Sequence, residues 1–419
     1  MNKVLVIGGG GREHALCWRL KQSPSVSQVF CAPGNAGIAQ DVTCVPLSKP
    51  DEIIIFCKSE NIALVVVGPE QPLVDGLADA LHGANIPVFG CSQKAAQLEG
   101  SKVFMKELCK KYGIPTAAYG CFTDKAAALS FLEGKSLPIV IKVDGLAAGK
   151  GVIIAENKKE AVEAIENMFS GEFGAAGSQI VIEEFLDGKE ASFFAICDGK
   201  KAVEFGYAQD HKRAYDGDKG PNTGGMGTYS PPPLVTEKIR KEVMDKIIHP
   251  TMQAMEKEGC PFSGVLFAGL MLTKDGAKLL EYNARFGDPE TQSLMLRFDG
   301  DLFKLLLSCA NGAVDEKYIS FTKQAAVCVV MAAGGYPAAY EKGSVIRNLK
   351  KAGSFPGVKI FHAGTAEKDG EIINVGGRVL GVTALGNSIK EAQQNAYKAV
   401  DLIDWKEGFC RRDIAWQAV

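Results

Sequence analysis

The sequence predicts a multidomain protein of the α/β and α+β classes that begins with a parallel sheet carrying helices on both faces. Three observations lead there. The chain has 419 residues, more than one ordinary core accommodates. Its first hundred residues alternate short apolar runs with helical stretches across short connections, the rhythm of strand–helix–strand units. Hydrophobic residues make up 46% and charged residues 23%, a globular balance.

Residues 4–7, 29–32, 63–67 and 87–90 read as strands, with helices at 14–21, 51–60 and 73–82 between them. Such sheets bind ligands at the carboxyl ends of their strands. A helix over 92–112 follows, stopped by Gly113-Ile-Pro115. A second unit carries strands at 139–143 and 152–155 around a glycine-rich turn, a helix over 159–169 and a strand at 180–184. A third carries strands at 190–197 and 202–208, a Gly/Pro-rich loop over 209–233 and a helix from 236 to about 258. Strands at 266–272 and 278–282 then flank the hairpin turn Lys274-Asp275-Gly276, and a helix follows at 299–309. After Asn311 the pattern restarts with strands at 325–333 and 376–385 and an amphipathic helix at 388–403, a small terminal α+β unit.

Several function classes are disfavoured. A net charge of −2 advertises no nucleic-acid partner. No apolar run approaches the ~20 residues of a membrane span. The chain opens on a strand-like run without a basic segment and cleavage site, so a cytoplasmic location is expected. The 12 cysteines form no CxxC pairs, and Cys31, Cys197 and Cys328 sit in apolar runs, which suits reduced core thiols.

Four segments carry chemistry. Gly8-Gly9-Gly10-Gly11-Arg12-Glu13-His14 follows the first strand and opens a helix, where backbone N–H groups favour a phosphate and Arg12 can add a charge-assisted bond. The spacing fails the dinucleotide pattern, because the third glycine position falls on Glu13 or His14, and the second strand ends in Ala32-Pro-Gly-Asn35 rather than a carboxylate. A phosphate-bearing substrate is preferred over NAD, a tight packing turn being the bland alternative. Gly68-Pro-Glu70 ends the third strand and faces the same crevice, or is an ordinary strand exit.

Lys142 lies in the apolar strand Ile139-Val-Ile-Lys-Val143, a costly place for an ammonium without an anion. The following turn, Asp144-Gly-Leu-Ala-Ala-Gly149-Lys150-Gly151, can close over nucleotide phosphates. It leads into a strand and is no Walker A loop; a plain hairpin is the alternative. Ile182-Glu-Glu-Phe-Leu-Asp187 mixes strand-end amides with apolar faces, which suits adenine, and Glu190 stands at a distance suited to ribose hydroxyls. A solvated acidic turn would look the same. In Glu281-Tyr-Asn283, positions i and i+2 of a strand bring a carboxylate and an amide oxygen to one face, as Mg²⁺ shared with phosphates requires. Arg285 continues that face, Pro289 suits a first helical turn, and Asp288 is either its cap or a functional group.

These motifs resemble the ATP-grasp fold and, more closely, the phosphoribosylamine–glycine ligase family, across essentially the whole chain. The resemblance rests on Gly8–Ala15, Pro33-Gly-Asn-Ala-Gly37, Leu98-Glu-Gly-Ser-Lys102, Gln209-Asp-His-Lys-Arg213, Gly220-Pro-Asn-Thr-Gly-Gly-Met-Gly227 and Arg285-Phe-Gly-Asp-Pro-Glu290. It implies a Rossmann-like N-terminal domain (1–101), an ATP-grasp domain (102–320, with a mobile subdomain about 118–187) and a C-terminal α+β domain (321–419). It implies that ATP, glycine and 5-phosphoribosylamine give glycinamide ribonucleotide, ADP and phosphate through glycyl phosphate. Lys102 and Lys142 should then contact phosphates or adenine together with Gly149, Lys150 and Gly151; Glu183, Phe185 and Leu186 should hold adenine and Glu190 the ribose. Glu281 and Asn283 should hold Mg²⁺ or Mn²⁺, although the strand Gly269-Leu-Met-Leu-Thr273 lacks the second acidic ligand of many relatives. Arg285, Lys142, Asp210 and Lys212 are the expected catalytic residues. Gly10, Gly11, Arg12, Glu13, Asn35, Glu70, Arg213, Asn222 and Gly225, with Asp210 and Arg285, should bind substrates. A monomer with small-molecule partners, and neither nucleic acid nor membrane, is expected. Another ATP-grasp carboxylate–amine ligase or carboxylase, a nicotinamide oxidoreductase and a non-catalytic nucleotide sensor are the competing readings.

Overall fold

The computed structural model describes residues 1–146, 151–171 and 174–419. The N-terminal strands pair as expected. Thr43–Cys44, Val26–Pro33, Asn2–Gly8, Ile62–Val67 and Val88–Phe89 form one parallel sheet in that spatial order. Its β-branched central strands are buried on both faces, as a parallel sheet between helix layers requires. Helix Gly11–Leu20 starts directly at the glycine loop, and Pro50–Glu60 covers the sheet with Pro50 in its first turn. The helix expected over 73–82 is broken into Glu70–Val74 and Leu77–Gly83, because Gly76 adopts φ +86°.

Two corrections concern the next helices. The single helix expected over 92–112 is two, Gln97–Gly100 and Lys102–Tyr112. Ser101 stands between them with extended φ −137°, and its hydroxyl caps the second helix by accepting from the Phe104 N–H at 3.0 Å. The helix expected from 236 to 258 runs through Glu237–Val243 and His249–Lys257 with one π turn, Met244–Ile248, between them. Pro250 has no N–H to give, and the wider turn precedes it.

The second unit is a four-stranded antiparallel sheet in the order Tyr119–Phe122, Ile180–Glu184, Ile139–Val143, Val152–Ala155. Helices Lys125–Phe131 and Lys158–Phe169 close a small core of Ile141, Ile165, Ile182 and their neighbours. The sequence reading had missed the first strand and the first helix, both short.

The central and C-terminal units share one sheet. Its path is Gly276–Asn283, Ser263–Thr273, Lys189–Asp198, Ala202–Asp210, Gly227–Ser230, Ala325–Ala333, Arg378–Gly386 and Val358–His362, with Gly408–Phe409 pairing beside Ala325–Ala333. The stretch 209–233, read as one loop, is therefore structured. It holds the end of a strand, a hairpin of Arg213–Tyr215 with Lys219–Asn222, and the bridging strand Gly227–Ser230. Helix Ile389–Val400 packs the C-terminal strands through Ala392, Ala396 and Val382. One core joins Val4, Val6 and Leu64 of the first sheet to Phe194, Phe205 and Phe267 of the shared one.

The N-terminal and C-terminal units meet at Asn35 and His14. The Asn35 amide donates to the carbonyls of Gly9 (2.9 Å) and His362 (2.8 Å) and accepts from the N–H of Gly37 and Ile38 (both 2.9 Å). All its bonding capacity is spent inside the protein, so the expected ligand Asn35 is instead the stitch that holds the glycine loop. His14 Nδ1 accepts the His362 N–H at 2.8 Å, which leaves the proton on Nε2 for Asp41 at 3.0 Å. Asn35→Ala should cost about 2 kcal/mol by leaving two carbonyls and two N–H groups without partners. A lowered urea midpoint would show it; an unchanged one would mean the stitch carries no weight.

Candidate active site

The cleft is lined by charges that serve as one another's counterions. Lys142, from strand Ile139–Val143, is buried with its Nζ 2.9 Å from Glu183 Oε1 and 3.3 Å from the Leu280 carbonyl. The other oxygen of Glu183 stands 2.9 Å from Nζ of Lys106. Glu183 is 2% exposed, so its carboxylate is a buried counterion and not the surface on which a ring would lie. Near it Leu186 packs with Ala117, Met271 and Leu280 in a small apolar cluster, and Phe185 projects into solvent. Lys102 donates to the Gly145 carbonyl at 2.9 Å, and burial pulls its pKa down. Gly151 accepts from the Val143 N–H at 2.9 Å at the base of the turn. Gly149 and Lys150 lie outside the described residues.

Oxygen ligands converge around Lys212. Glu281 lies near the end of strand Gly276–Asn283, which closes on Asn283 two residues on. Lys212 Nζ stands 3.7 Å from Glu281 and 3.8 Å from Glu190. Among the described residues the side chains of Glu190, Glu281, Asn283 and Asp210 make no hydrogen bond, so these hard oxygens remain free. Also among them, no group of three or more His, Cys, Asp or Glu side chains could cage a metal ion. Two or three protein oxygens completed by phosphate and water is how Mg²⁺ is usually held, and Glu281 with Asn283 fits that pattern. Desolvation works to raise the Glu281 pKa, but Lys212, Lys142 and Lys102 outweigh it and hold the carboxylate ionised. Asp210, more than any other neighbour, pushes the Lys212 pKa well up. Glu290, which the sequence reading gave no role, lies at the edge of this group. Its Oε1 accepts from Ser192 Oγ at 2.9 Å, and burial followed by the nearby Asp210 pushes its pKa up to about 7.

The glycine loop forms the far wall. Gly10 N–H donates to Glu13 at 2.6 Å, and Glu13 in turn pairs with Arg12. Glu13 thus packs beneath the loop, where a Cβ on Gly68 would come within 2.2 Å of it. Arg12 also donates to the Phe286 carbonyl at 3.2 Å. Arg285 is fully engaged: Nε lies 3.2 Å from Glu70, one terminal nitrogen 2.9 Å from Glu99, and the other donates to the Phe286 carbonyl at 3.3 Å. Arg285, expected as a catalytic and substrate-binding residue, here anchors Glu70, whose carboxylate Arg285 and Arg12 hold below the usual range against desolvation. Removing Arg285 would leave the Glu99 carboxylate, its side chain 7% exposed, without its ion-pair partner.

Asp288 is not the helix cap. Helix Glu290–Arg297 begins after Pro289, with no side-chain cap. Asp288 instead accepts from Gln292 at 2.9 Å and faces the Arg12 N–H at 3.4 Å, bringing a carboxylate to the positive end of helix Gly11–Leu20. Arg378 donates to the carbonyls of Gly224 (2.6 Å), Gly225 (3.2 Å) and Asp288 (2.6 Å), clamping the turn onto the helix start. Gly225 is needed there, since at φ +114° a Cβ would meet Pro289 at 2.6 Å.

The hairpin above the site is held from the C-terminus. Arg213 bonds the Gly220 carbonyl at 2.8 Å, so its side chain braces its own hairpin with Asn222 opposite its backbone. Buried Arg411 reaches Asp218 (2.8 Å), Asp413 (2.7 Å) and the Arg213 carbonyl (3.1 Å). Arg412 N–H donates to Asp216, and Gly217 N–H to Asp413, both at 2.8 Å. A two-stranded hairpin is marginal alone, and this clasp holds the segment that carries Lys212.

Models of the phosphoribosylglycinamide synthetase N domain, ATP-grasp (A) domain and C domain match residues 2–99, 100–291 and 326–417. The chain belongs to the phosphoribosylglycinamide synthetase family. A relative from Brucella melitensis called phosphoribosylamine–glycine ligase is 55% identical over 100% of this chain and 98% of its own. A chloroplastic one from Arabidopsis thaliana is 56% identical over 97% of this chain and 79% of its own. The solved phosphoribosylamine–glycine ligase of Thermotoga maritima superposes with TM-score 0.86 at 35% identity, covering 99% of this chain and 100% of that one. The biotin carboxylase domain of a Hydrogenobacter thermophilus 2-oxoglutarate carboxylase superposes at 0.75 with 17% identity, over 98% and 91% of the two chains, a likeness of fold. The chain is thus an ATP-grasp ligase, as its motifs imply. Among the described residues no helix is long and apolar enough to cross a membrane.

Two expectations follow from the geometry. Because the Glu290 pKa is raised in the fold, its contribution to stability is complete below the ordinary carboxylate range and is lost as pH rises through about 7. Glu290→Gln should therefore flatten thermal stability between about pH 4.5 and 7 and melt higher than the parent above pH 7. Parallel pH profiles for the two proteins would discard this. Arg411→Met should release the hairpin and speed tryptic cleavage after Arg213 and Lys219, with cleavage elsewhere unchanged; equal rates would show that the clasp holds nothing.

Proposed function

We propose that this chain joins glycine to 5-phosphoribosylamine at the expense of ATP, giving glycinamide ribonucleotide, ADP and phosphate. The reading is carried by full-length identity of about half with relatives called phosphoribosylamine–glycine ligase, together with the oxygens of Glu281 and Asn283 on one strand. A carboxylate acylates poorly at neutral pH, and phosphorylation makes it reactive. Glycyl phosphate is the intermediate this predicts, and the amine of phosphoribosylamine then displaces its phosphate. No protein nucleophile is required.

In this reading Leu186 and its apolar neighbours take adenine, Glu190 the ribose, and Lys142 and Lys102 the phosphates. Glu281 and Asn283 hold Mg²⁺ or Mn²⁺, which supplies neutralisation of phosphate charge. Lys212, kept charged by Asp210, spreads the charge that develops on the transferred phosphoryl group. Glu70, ionised and held by Arg285, takes an ammonium or amine. The free amides of the loop at Gly9 and Gly11 serve the ribose 5-phosphate. The protein's contribution is positioning and exclusion of water.

The test is ADP release with glycine and freshly made phosphoribosylamine, each omitted in turn and glycine replaced by other amino acids. ADP should form only with both substrates. Turnover independent of glycine would refute this substrate assignment.

A further inference from the structure

Beneath the proposed nucleotide site two lysines share one carboxylate, and their charges do not cancel. Lys106 lies on the inner face of helix Lys102–Tyr112 with 0% of its surface exposed. Its Nζ is 2.9 Å from Glu183 Oε2 and donates to Thr116 Oγ1 at 2.8 Å. Thr116 passes its own proton to the Leu279 carbonyl at 2.7 Å, which fixes it as an acceptor for Lys106. The other oxygen of Glu183 faces Lys142 Nζ at 2.9 Å. Burying three ions to leave one net positive charge is a poor way to stabilise a core, since apolar residues of similar volume commonly do better. The arrangement makes sense if the surplus charge meets an anion. Lys142 opposite Glu183 alone would form a neutral pair with little to offer a phosphate.

We propose that Lys106 is a positioning residue for the nucleotide: it neutralises Glu183 from below so that Lys142 keeps its charge for the phosphates. Lys106 is sealed from the cleft and acts only through Glu183. The inference rests on the nucleotide placement given above. It separates three lysines that a sequence cannot rank: Lys102 and Lys142 border the proposed site, and Lys106 sets what Lys142 can do.

Calorimetric titration with ATP tests it on Lys106→Met, Lys106→Gln, Lys106→Met/Glu183→Gln and Lys142→Ala. Both single changes at Lys106 should weaken ATP binding roughly ten- to a hundredfold, the effect of one charge removed at close range. The double variant, in which residue 183 no longer opposes Lys142, should recover to within roughly threefold of the parent. A purely structural role predicts the reverse: Lys106→Gln, which keeps length and hydrogen bonding, would bind normally, and the double variant would bind worst. Either result overturns the proposal. Should Lys106→Met fail to fold, Lys106→Gln and the double variant decide alone. Unchanged binding by Lys142→Ala would overturn the nucleotide placement itself, and the proposal with it. Weakened binding there beside normal binding by Lys106→Gln would overturn only the charge balance.

Discussion

Four residues, Gly227–Ser230, hold the molecule's two larger units in one sheet. On one side they pair with Gln209 and Asp210, on the other with residues of Ala325–Ala333. All four are buried, and Gly227 at φ +155° leaves no room for a Cβ, which would meet the Cys328 carbonyl at 2.6 Å. Thr228 also bonds the Pro289 carbonyl at 3.1 Å, so the same strand sets where helix Glu290–Arg297 begins. Asp210 and Lys212 leave from one flank of this strand, Asp288 and Glu290 from another, and Arg378 from the sheet beyond. Loss of that pairing would separate Asp210 and Lys212 from Asp288, Glu290 and Arg378.

The second constraint is electrostatic. The cleft sets buried and half-buried charges in facing pairs. Lys106 and Lys142 share Glu183, Lys212 lies between Glu190 and Glu281, and Arg285 lies between Glu70 and Glu99. In a low-dielectric setting a lone member of such a set is expensive, whereas a paired one costs little. The residues proposed to bind ligands are consequently also residues that hold the fold together. Arg285 shows it best: all three of its nitrogens face protein partners, and its removal would leave Glu99 unpaired.

The C-terminal unit is part of the site through two arginines. Arg378 pins the turn at Gly224 and Gly225 against Asp288, and Arg411 grips the hairpin that leads to Lys212. The glycine loop is held from the same side, through Asn35 and His14 meeting His362. The three family domains therefore touch one cleft from three directions.

Much of this was determined by the sequence alone. Period-two and period-3.6 apolar patterns placed the parallel sheet, most helices and the hairpin at Lys274–Asp275, because local burial preferences act over a few residues. The i, i+2 spacing brought Glu281 and Asn283 together for the same reason. Motifs that demand special backbone, such as the four glycines before Arg12, were also legible. What only the tertiary structure decided depends on partners distant along the chain. Gly227–Ser230 looks like a loop because its glycines and flanking proline suit turns, and strands a hundred residues apart make it a bridge. Asn35 and Arg285 have the chemistry of ligands, yet their bonds go to His362 and Glu99, which no local pattern announces. Lys106 reads as one more helix lysine, and only its burial against Glu183 and Thr116 gives it a role. A side chain's chemistry is written locally, but whether its charge is free or already neutralised is set by what folds against it.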